Sequence, residues 1–100
     1  LSVVATLTYD SEDPQGGDVR LVAEGIEFSQ DTLTVEEGTV SVFIDNKDFT
    51  LHTFTIDELD VDVDVPAGKS TRVTFEAEKG GYEYYCRPHE EDMTGTLTVE

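Results

Sequence analysis

The residues of this chain that could bind a soft metal ion fall in two short stretches. Residues 82–93 contain the only cysteine, Cys86, the only methionine, Met93, and one of the two histidines, His89. The other histidine, His52, lies well upstream of them. A thiolate, two imidazoles and a thioether form a set that suits copper better than the other common metals. These residue types therefore predict a metal site.

The spacing of these residues predicts how they come together. Cys86 ends a predicted strand in which it shares the parity of Tyr84, so both side chains face the same side of the sheet. Pro88 fixes φ and stiffens the path from Cys86 to His89. A trigonal His₂Cys set with a weak axial methionine is the ligand arrangement of blue-copper electron-transfer sites. Such a set leaves no open position for a substrate, so we expect an electron carrier and not an enzyme.

Each of these residues, taken alone, has a simpler interpretation. A lone cysteine is usually a small buried hydrophobe, a lone methionine usually fills a core, and a single histidine is commonly a surface or capping residue. Zinc is a separate alternative, but structural zinc sites prefer several thiolates or histidines and gain little from methionine. The combination of residue types, and not any one residue, favours a single copper ion.

The charge of the chain limits its partners. There are 23 acidic residues against 6 basic ones, a formal net charge of −17. Neither nucleic acid nor an anionic membrane surface is therefore expected to bind. The acidity could be a docking field for a basic partner or a general solvated surface of the kind seen in proteins from salty environments. The acidic residues are spread over the whole chain, which favours the second interpretation.

The apolar pattern predicts an all-β chain. Hydrophobic residues recur mostly with period two in short segments rich in Val, Thr, Phe and Tyr, separated by turn signals. The candidate strands are 3–9, 19–24, 26–29, 32–35, 40–45, 51–56, 61–65, 71–77, 82–86 and 94–99. A polar loop is expected at 10–17, tight turns at Gly38 and at 66–69, a break at 80–81 and a short helical turn near 57–59. We expect one domain over residues 1–100, a Greek-key β-sandwich of two sheets and about eight strands.

Two segments resemble those of the small cupredoxins, the family that includes plastocyanin, amicyanin, pseudoazurin and halocyanin. Residues 84–89, Tyr-Tyr-Cys-Arg-Pro-His, followed by Met-Thr-Gly-Thr-Leu-Thr-Val at 93–99, are similar to the C-terminal signature of that family. Residues 46–54, with Asn46, Asp48 and His52, are similar to its first ligand segment. The turns at 35–39 and 65–68 also match.

The resemblance implies roles for the matching residues. His52, Cys86 and His89 would be the equatorial copper ligands and Met93 the axial one. The ring edge of His89 would reach the surface inside a mostly apolar patch and carry electrons. Tyr85 resembles a second, tyrosine-based access point for electrons, with an exposed strand tyrosine as the equal alternative. We also expect Tyr82 to fix a strand corner through its hydroxyl.

Three positions depart from the family pattern. Three residues separate His89 from Met93, a loop length between those of amicyanin and plastocyanin. Thr53 replaces an asparagine, which predicts the loss of a side-chain bridge to the cysteine loop, although its backbone N–H could still donate to the Cys86 sulfur. Arg87 replaces a small hydroxyl residue. It could dock a partner or offset the acidic residues at 90–92, and we expect the second.

The function predicted on these grounds is a soluble blue-copper electron-transfer protein that cycles Cu(I)/Cu(II). Redox proteins would serve as its electron donor and acceptor, and we expect a monomer. The resemblance implies an exported protein, periplasmic or extracytoplasmic, with a membrane anchor outside this sequence left open. The alternatives are a copper delivery or assembly protein, or a cupredoxin domain of a larger redox enzyme or membrane-anchored chain.

Overall fold

The computed structural model describes the backbone of residues 6–9 and the full chain from residue 18 to residue 100. This part of the chain forms nine β-strands and two short 3₁₀ helices. The strands are β1 Thr6–Tyr9, β2 Val19–Ala23, β3 Thr32–Val35, β4 Gly38–Asn46, β5 His52–Ile56, β6 Val61–Val65, β7 Ser70–Ala77, β8 Gly80–Tyr85 and β9 Thr94–Val99. The 3₁₀ helices are Asp57–Leu59 and Arg87–His89. The predicted start of the first strand at residue 3 and the predicted loop at 10–17 lie outside the described residues.

The strands form two sheets that pack face to face. One sheet has the order β1-β7-β4-β2 and the other the order β3-β9-β8-β5-β6. The pairs β2–β4 and β3–β9 are parallel, whereas the remaining named pairs are antiparallel. The predicted two-sheet β-sandwich is confirmed.

The core between the sheets is built from alternate positions of the strands. In β6, Val61, Val63 and Val65 are buried, while Asp62 and Asp64 between them face solvent. This alternation is what a strand with one covered face requires. All five residues of β5 are buried, and this strand lies between β8 and β6 in its sheet. The strand that begins with His52 is therefore flanked by a strand on each edge and has no exposed side chain.

One predicted strand is wrong. Residues 26–29 form a turn, with a single isolated bridge between Ala23 and Phe28. Gly25 and Ile26 both have positive φ angles, 68° and 58°. The amides of these two residues donate to the carboxylate of Asp48 instead of to a neighbouring strand. A β-branched residue with positive φ is rare. The apolar pattern of residues 26–29 gives no sign of this conformation, and it therefore predicted a strand.

The glycine positions agree with the predictions in one case and differ in another. Gly38 has a φ of 119°, as expected for the turn before β4. The predicted break at 80–81 is wrong, because β8 begins at Gly80, which pairs with Val99. The 3₁₀ helix Asp57–Leu59 confirms the predicted turn there.

Candidate metal centre

The loop that follows β8 brings three of the predicted donor residues together. Cys86 comes directly after the last residue of β8, and the 3₁₀ helix Arg87–His89 turns the chain. The amide of His89 donates to the carbonyl of Cys86 (3.0 Å) and the amide of Met93 donates to the carbonyl of His89 (2.9 Å). The amide of Cys86 then donates to the carbonyl of Met93 (3.0 Å). These backbone bonds close the loop on itself and hold its ends together.

The fourth predicted residue, His52, reaches the same point from β5. Its Nδ1 lies 3.6 Å from the sulfur of Cys86, and Nδ1 of His89 lies 3.5 Å from that sulfur. The two imidazole rings meet edge to face with centroids 5.1 Å apart. The donor atoms of His52, Cys86 and His89 all lie within 4.8 Å of one another. The structure thus brings together residues that are far apart in the sequence.

The four residues differ in burial, which decides which of them can be reached from the surface. His52, Cys86 and Met93 are fully buried, whereas His89 is only partly buried. Met93 and Cys86 share a small apolar cluster with Ala23, and Ile26 packs against it. His89 is therefore the one of the four with a path to the surface.

One depression beside His89 has a mainly charged lining, and the apolar patch expected around the ring stays a prediction. The depression that contains His89 is lined by the rest of its own loop: Arg87, Pro88, Glu90, Glu91 and Asp92. This lining is mainly charged. The exposed large apolar side chains of the described chain are Phe49 and Leu51, which precede His52. Among the residues close to the donors in sequence, the exposed large apolar side chains therefore belong to the segment before His52 and not to the loop that holds His89.

Thr53 makes two bonds to the cysteine segment. Its backbone amide donates to the sulfur of Cys86 at 3.4 Å, as predicted. The expected loss of a side-chain bridge is wrong, because the hydroxyl of Thr53 accepts a hydrogen bond from the amide of Arg87 at 2.9 Å. Threonine is long enough to place an oxygen where this amide needs an acceptor.

The side chain of Arg87 does not offset the acidic residues of its own loop. Its Nε lies 2.8 Å from Oδ1 of Asp62 and its Nη2 lies 3.0 Å from Oδ1 of Asp64. The exposed face of β6 thus supplies both partners, and the predicted pairing with residues 90–92 is wrong. Since all three side chains are about half exposed, each pair contributes little to stability.

Asp48 contacts the buried histidine and was given no role by the sequence. Its Oδ2 lies 2.8 Å from Nε2 of His52. This hydrogen bond, followed by the bonds from the amides of Ile26 and Gly25, lowers the pKa of Asp48 to about 2. The carboxylate is therefore ionised at neutral pH. In the sequence, the sign of this contact was an acidic residue four positions before the histidine.

The two predicted tyrosine roles have different outcomes. The hydroxyl of Tyr82 donates to the carbonyl of Glu78 at 2.8 Å, four residues upstream, which confirms the predicted strand corner. The hydroxyl of Tyr85 donates to Oδ1 of Asp57 at 2.9 Å. Tyr85 is partly exposed, whereas its neighbours Tyr84 and Cys86 are fully buried. The role of Tyr85 as an access point for electrons stays a prediction.

The donor set fits copper. Two imidazoles and one sulfur converge, and a thioether lies in the same buried cluster as the sulfur. Soft thiolate and thioether donors select copper in its reduced state, and imidazoles suit both oxidation states. A zinc site gains little from the thioether. A site with these four residues is typical of a single copper ion.

The fold and this cluster together define a small β-sandwich protein with a mononuclear metal centre. A family model described as a cupredoxin-like domain matches residues 1–99. The chain belongs to the cupredoxin-like family.

The fold is also similar to solved structures of amicyanin. Amicyanin from Paracoccus versutus (Thiobacillus versutus) is 24% identical with a TM-score of 0.70, over 94% of this chain and 97% of that chain. The Cu(I) form of an amicyanin mutant is 24% identical with a TM-score of 0.71, over 94% of this chain and 98% of that one. The oxidized state of another mutant is 21% identical with a TM-score of 0.72 over the same shares. At sequence identities below 25%, this similarity establishes the fold alone.

No curated protein matches the chain in sequence. Within the described residues, no helix has the length and apolar character needed to cross a membrane.

Proposed function

We propose that this protein is a one-electron carrier that binds one copper ion through His52, Cys86, His89 and Met93. The observation that carries the proposal is the convergence of two imidazole nitrogens and one sulfur within 4.8 Å, with three of the four residues fully buried. Membership of the cupredoxin-like family supports the same assignment. Copper bound there supplies a couple between Cu(I) and Cu(II).

Each residue has a separate task in this proposal. Cys86 binds as a thiolate, and the amide of Thr53 directed at its sulfur partly balances the negative charge. His52 and His89 supply imidazole nitrogens that suit both oxidation states. Met93 would supply a weak thioether donor. The partly exposed ring of His89 is the route by which electrons pass between the centre and another protein.

The rigidity of the frame supports electron transfer. Hydrogen bonds within the loop and from β5 hold the donors in one arrangement, so little rearrangement is needed when the oxidation state changes. In this proposal all four donors are committed to the metal and three of them are buried, which argues against an open position for a substrate. We therefore propose a carrier and not an enzyme, and burial of the donors also disfavours delivery of the metal itself to another protein.

The wider setting belongs to the same proposal. We propose a single domain over residues 1–100, which the family match to residues 1–99 supports. We further propose a monomer that exchanges electrons with redox proteins, one a donor and one an acceptor. Family membership favours an exported location, periplasmic or extracytoplasmic. The rate of electron transfer to such a partner would be insensitive to salt if the acidity serves only as a solvated surface.

An absorption spectrum tests the central assignment. Adding one equivalent of Cu(II) to the apo protein should produce an intense visible thiolate-to-copper band. Cys86→Ser should abolish this band, because the hydroxyl does not provide a soft sulfur donor. Voltammetry of the loaded protein should be reversible without loss of metal. The absence of a visible band in the wild-type protein would refute the proposed function.

A further inference from the structure

We propose that Asp48 is the positioning residue of this centre: its carboxylate fixes the tautomer of His52 that can bind metal, and anchors the turn that covers Cys86 and Met93. The inference rests on the proposed copper site. It concerns a residue outside the four proposed ligands.

The first step concerns the tautomer of His52. Oδ2 of Asp48 lies 2.8 Å from Nε2 of His52. An ionised carboxylate can only accept hydrogen bonds, so Nε2 must carry the proton. Nδ1, which faces the sulfur of Cys86 at 3.6 Å, then keeps its lone pair for a metal. His52 is fully buried and the side chain of Asp48 is 16% exposed, so the competition from water is weak.

The second step concerns the turn at Gly25 and Ile26. The amide of Gly25 donates to Oδ1 of Asp48 at 2.8 Å, and the amide of Ile26 donates to Oδ2 at 3.0 Å. Two successive amides directed at one anion form a small concave binding site for negative charge. Ile26 has a φ of 58°, which costs free energy for a β-branched residue and persists only where its surroundings hold it. The carboxylate of Asp48 supplies that restraint.

This turn matters because of what Ile26 covers. Ile26 and Phe28 pack against the apolar cluster that contains Cys86 and Met93. One carboxylate therefore links the buried histidine to the segment that shields both sulfur atoms from solvent. Loss of the carboxylate would affect the orientation of His52 and the cover over the sulfur donors together.

Asp48 is itself held in place by bonds that need no metal. Its amide donates to Oδ1 of Asn46 at 2.9 Å, and its carbonyl accepts from the amide of Gly68 at 3.1 Å. The side-chain amide of Asn46, which is buried, donates to the carbonyls of Thr50 (2.9 Å) and Val65 (2.8 Å). The carboxylate is thus oriented by the fold before any metal binds.

The charge of Asp48 has a consequence for the reduction potential. A negative charge bonded to the imidazole of a ligand stabilises the more positive, oxidised state of the centre. Asp48→Asn keeps the size and one acceptor oxygen but removes the charge. We expect this variant to shift the equilibrium toward the reduced form by about tenfold, which is about 59 mV for a one-electron couple.

The experiment has one part without metal and one with copper. In the apo protein, ¹⁵N and ¹H NMR of the imidazoles should show His52 as the Nε2–H tautomer with slow proton exchange. Asp48→Ala should give a mixture of tautomers and faster exchange. The potential of copper-loaded Asp48→Asn is then compared with that of Glu91→Gln, which removes an exposed carboxylate from the loop that holds His89.

Each result bears on a separate part of the inference. If His52 keeps the Nε2–H tautomer in Asp48→Ala, or the potential shift of Asp48→Asn is no larger than that of Glu91→Gln, Asp48 is not a positioning residue. If Asp48→Ala does not fold, the comparison of the two amide variants still decides. A wild-type protein that gives the NMR result but no visible band with Cu(II) would refute the proposed function while leaving the tautomer assignment intact.

Discussion

The amide nitrogen of Thr53 lies 3.4 Å from the sulfur of Cys86, across a sequence separation of 33 residues. The hydroxyl of the same threonine accepts from the amide of Arg87. Strand β5 therefore holds the cysteine segment at two adjacent points. It also carries His52 as its first residue. The distance between the imidazole of His52 and the sulfur is thus set by one short stretch of backbone.

The hydroxyl of Thr53 is expected to contribute to stability. Thr53→Val keeps the shape of the side chain but removes the hydroxyl that accepts from the amide of Arg87 (2.9 Å) and pairs with the hydroxyl of Thr55 (3.0 Å). An unpaired amide in a protein interior costs about 1–3 kcal/mol. We expect urea unfolding of the apo protein to show a loss of this size. The N–H directed at the sulfur of Cys86 is unchanged, so the visible band with copper should persist.

Thr53→Ser is the matched control for this prediction. It keeps the hydroxyl and removes one methyl group, which costs about 0.8 kcal/mol when buried. The valine variant should therefore be the less stable of the two. A valine variant as stable as the wild-type protein would show that the hydroxyl of Thr53 contributes nothing.

Gly95 is required by the ring of Tyr84. The two residues are directly opposite each other in β9 and β8, and a Cβ on Gly95 would lie 2.3 Å from the ring of Tyr84. Tyr84 is fully buried and cannot move out of the way. Gly95→Ala should therefore destabilise the protein by about 1–3 kcal/mol, as overpacking in a core does.

Gly81→Ala, on the neighbouring strand β8, is the control for Gly95. A Cβ there meets no heavy atom within 4 Å. Because alanine restricts the unfolded chain more than glycine does, this change should be neutral or slightly stabilising. Thermal unfolding of both variants measures the difference, and similar losses in the two would contradict the role of the Tyr84 ring.

The sequence predicted the parts of the site that depend on residue type and on local periodicity. The alternation of Val61, Val63 and Val65 with acidic residues identified a strand with one covered face, and the parity of Tyr84 and Cys86 placed both on the same side of the sheet. The rare soft donors could also be picked out by type alone. These features require no knowledge of which distant segments meet.

The parts that the sequence did not predict depend on contacts between distant segments. Asp48 reaches the amide of Ile26 across 22 positions, and Arg87 reaches Thr53 across 34. The apolar pattern of residues 26–29 predicted a strand. The conformation of this turn depends instead on hydrogen bonds from the amides of Gly25 and Ile26 to the carboxylate of Asp48. The predicted partners of Arg87 were also wrong. Proximity in the sequence favoured residues 90–92, whereas the fold places Asp62 and Asp64 beside its side chain.

Tyr84 predicts a loss of stability at high pH. Burial, followed by the negative charge of Asp31, raises the pKa of Tyr84 to about 12, against 10.0 for an unperturbed phenol. Between these values the unfolded chain has lost a proton that the folded chain keeps. The free energy of unfolding should therefore be unaffected below pH 10 and fall between pH 10 and pH 12, by on the order of 2 kcal/mol.

Tyr84→Phe separates this titration from general alkaline unfolding. The variant loses the hydrogen bond to the carbonyl of Gln30, so at pH 8 it should be less stable by about 1 kcal/mol. Its stability should then fall less steeply than that of the wild type between pH 10 and pH 12. Urea unfolding at several pH values measures both slopes, and equal slopes would mean that Tyr84 does not titrate in this way.

Met93 is expected to tune the potential of the centre without being needed for metal binding. Its side chain is fully buried beside Cys86, and leucine has a similar volume, so Met93→Leu should cost less than about 1.5 kcal/mol of stability. The variant keeps both imidazoles and the thiolate, so the visible band should remain. Loss of the thioether leaves three donors, and the more positive Cu(II) ion loses more stabilisation from a missing donor than Cu(I) does, so voltammetry should show a higher potential. Leu97→Met, the reverse exchange at a fully buried position of β9, should leave the potential unchanged. A Met93→Leu protein with the wild-type potential would exclude Met93 as a copper ligand.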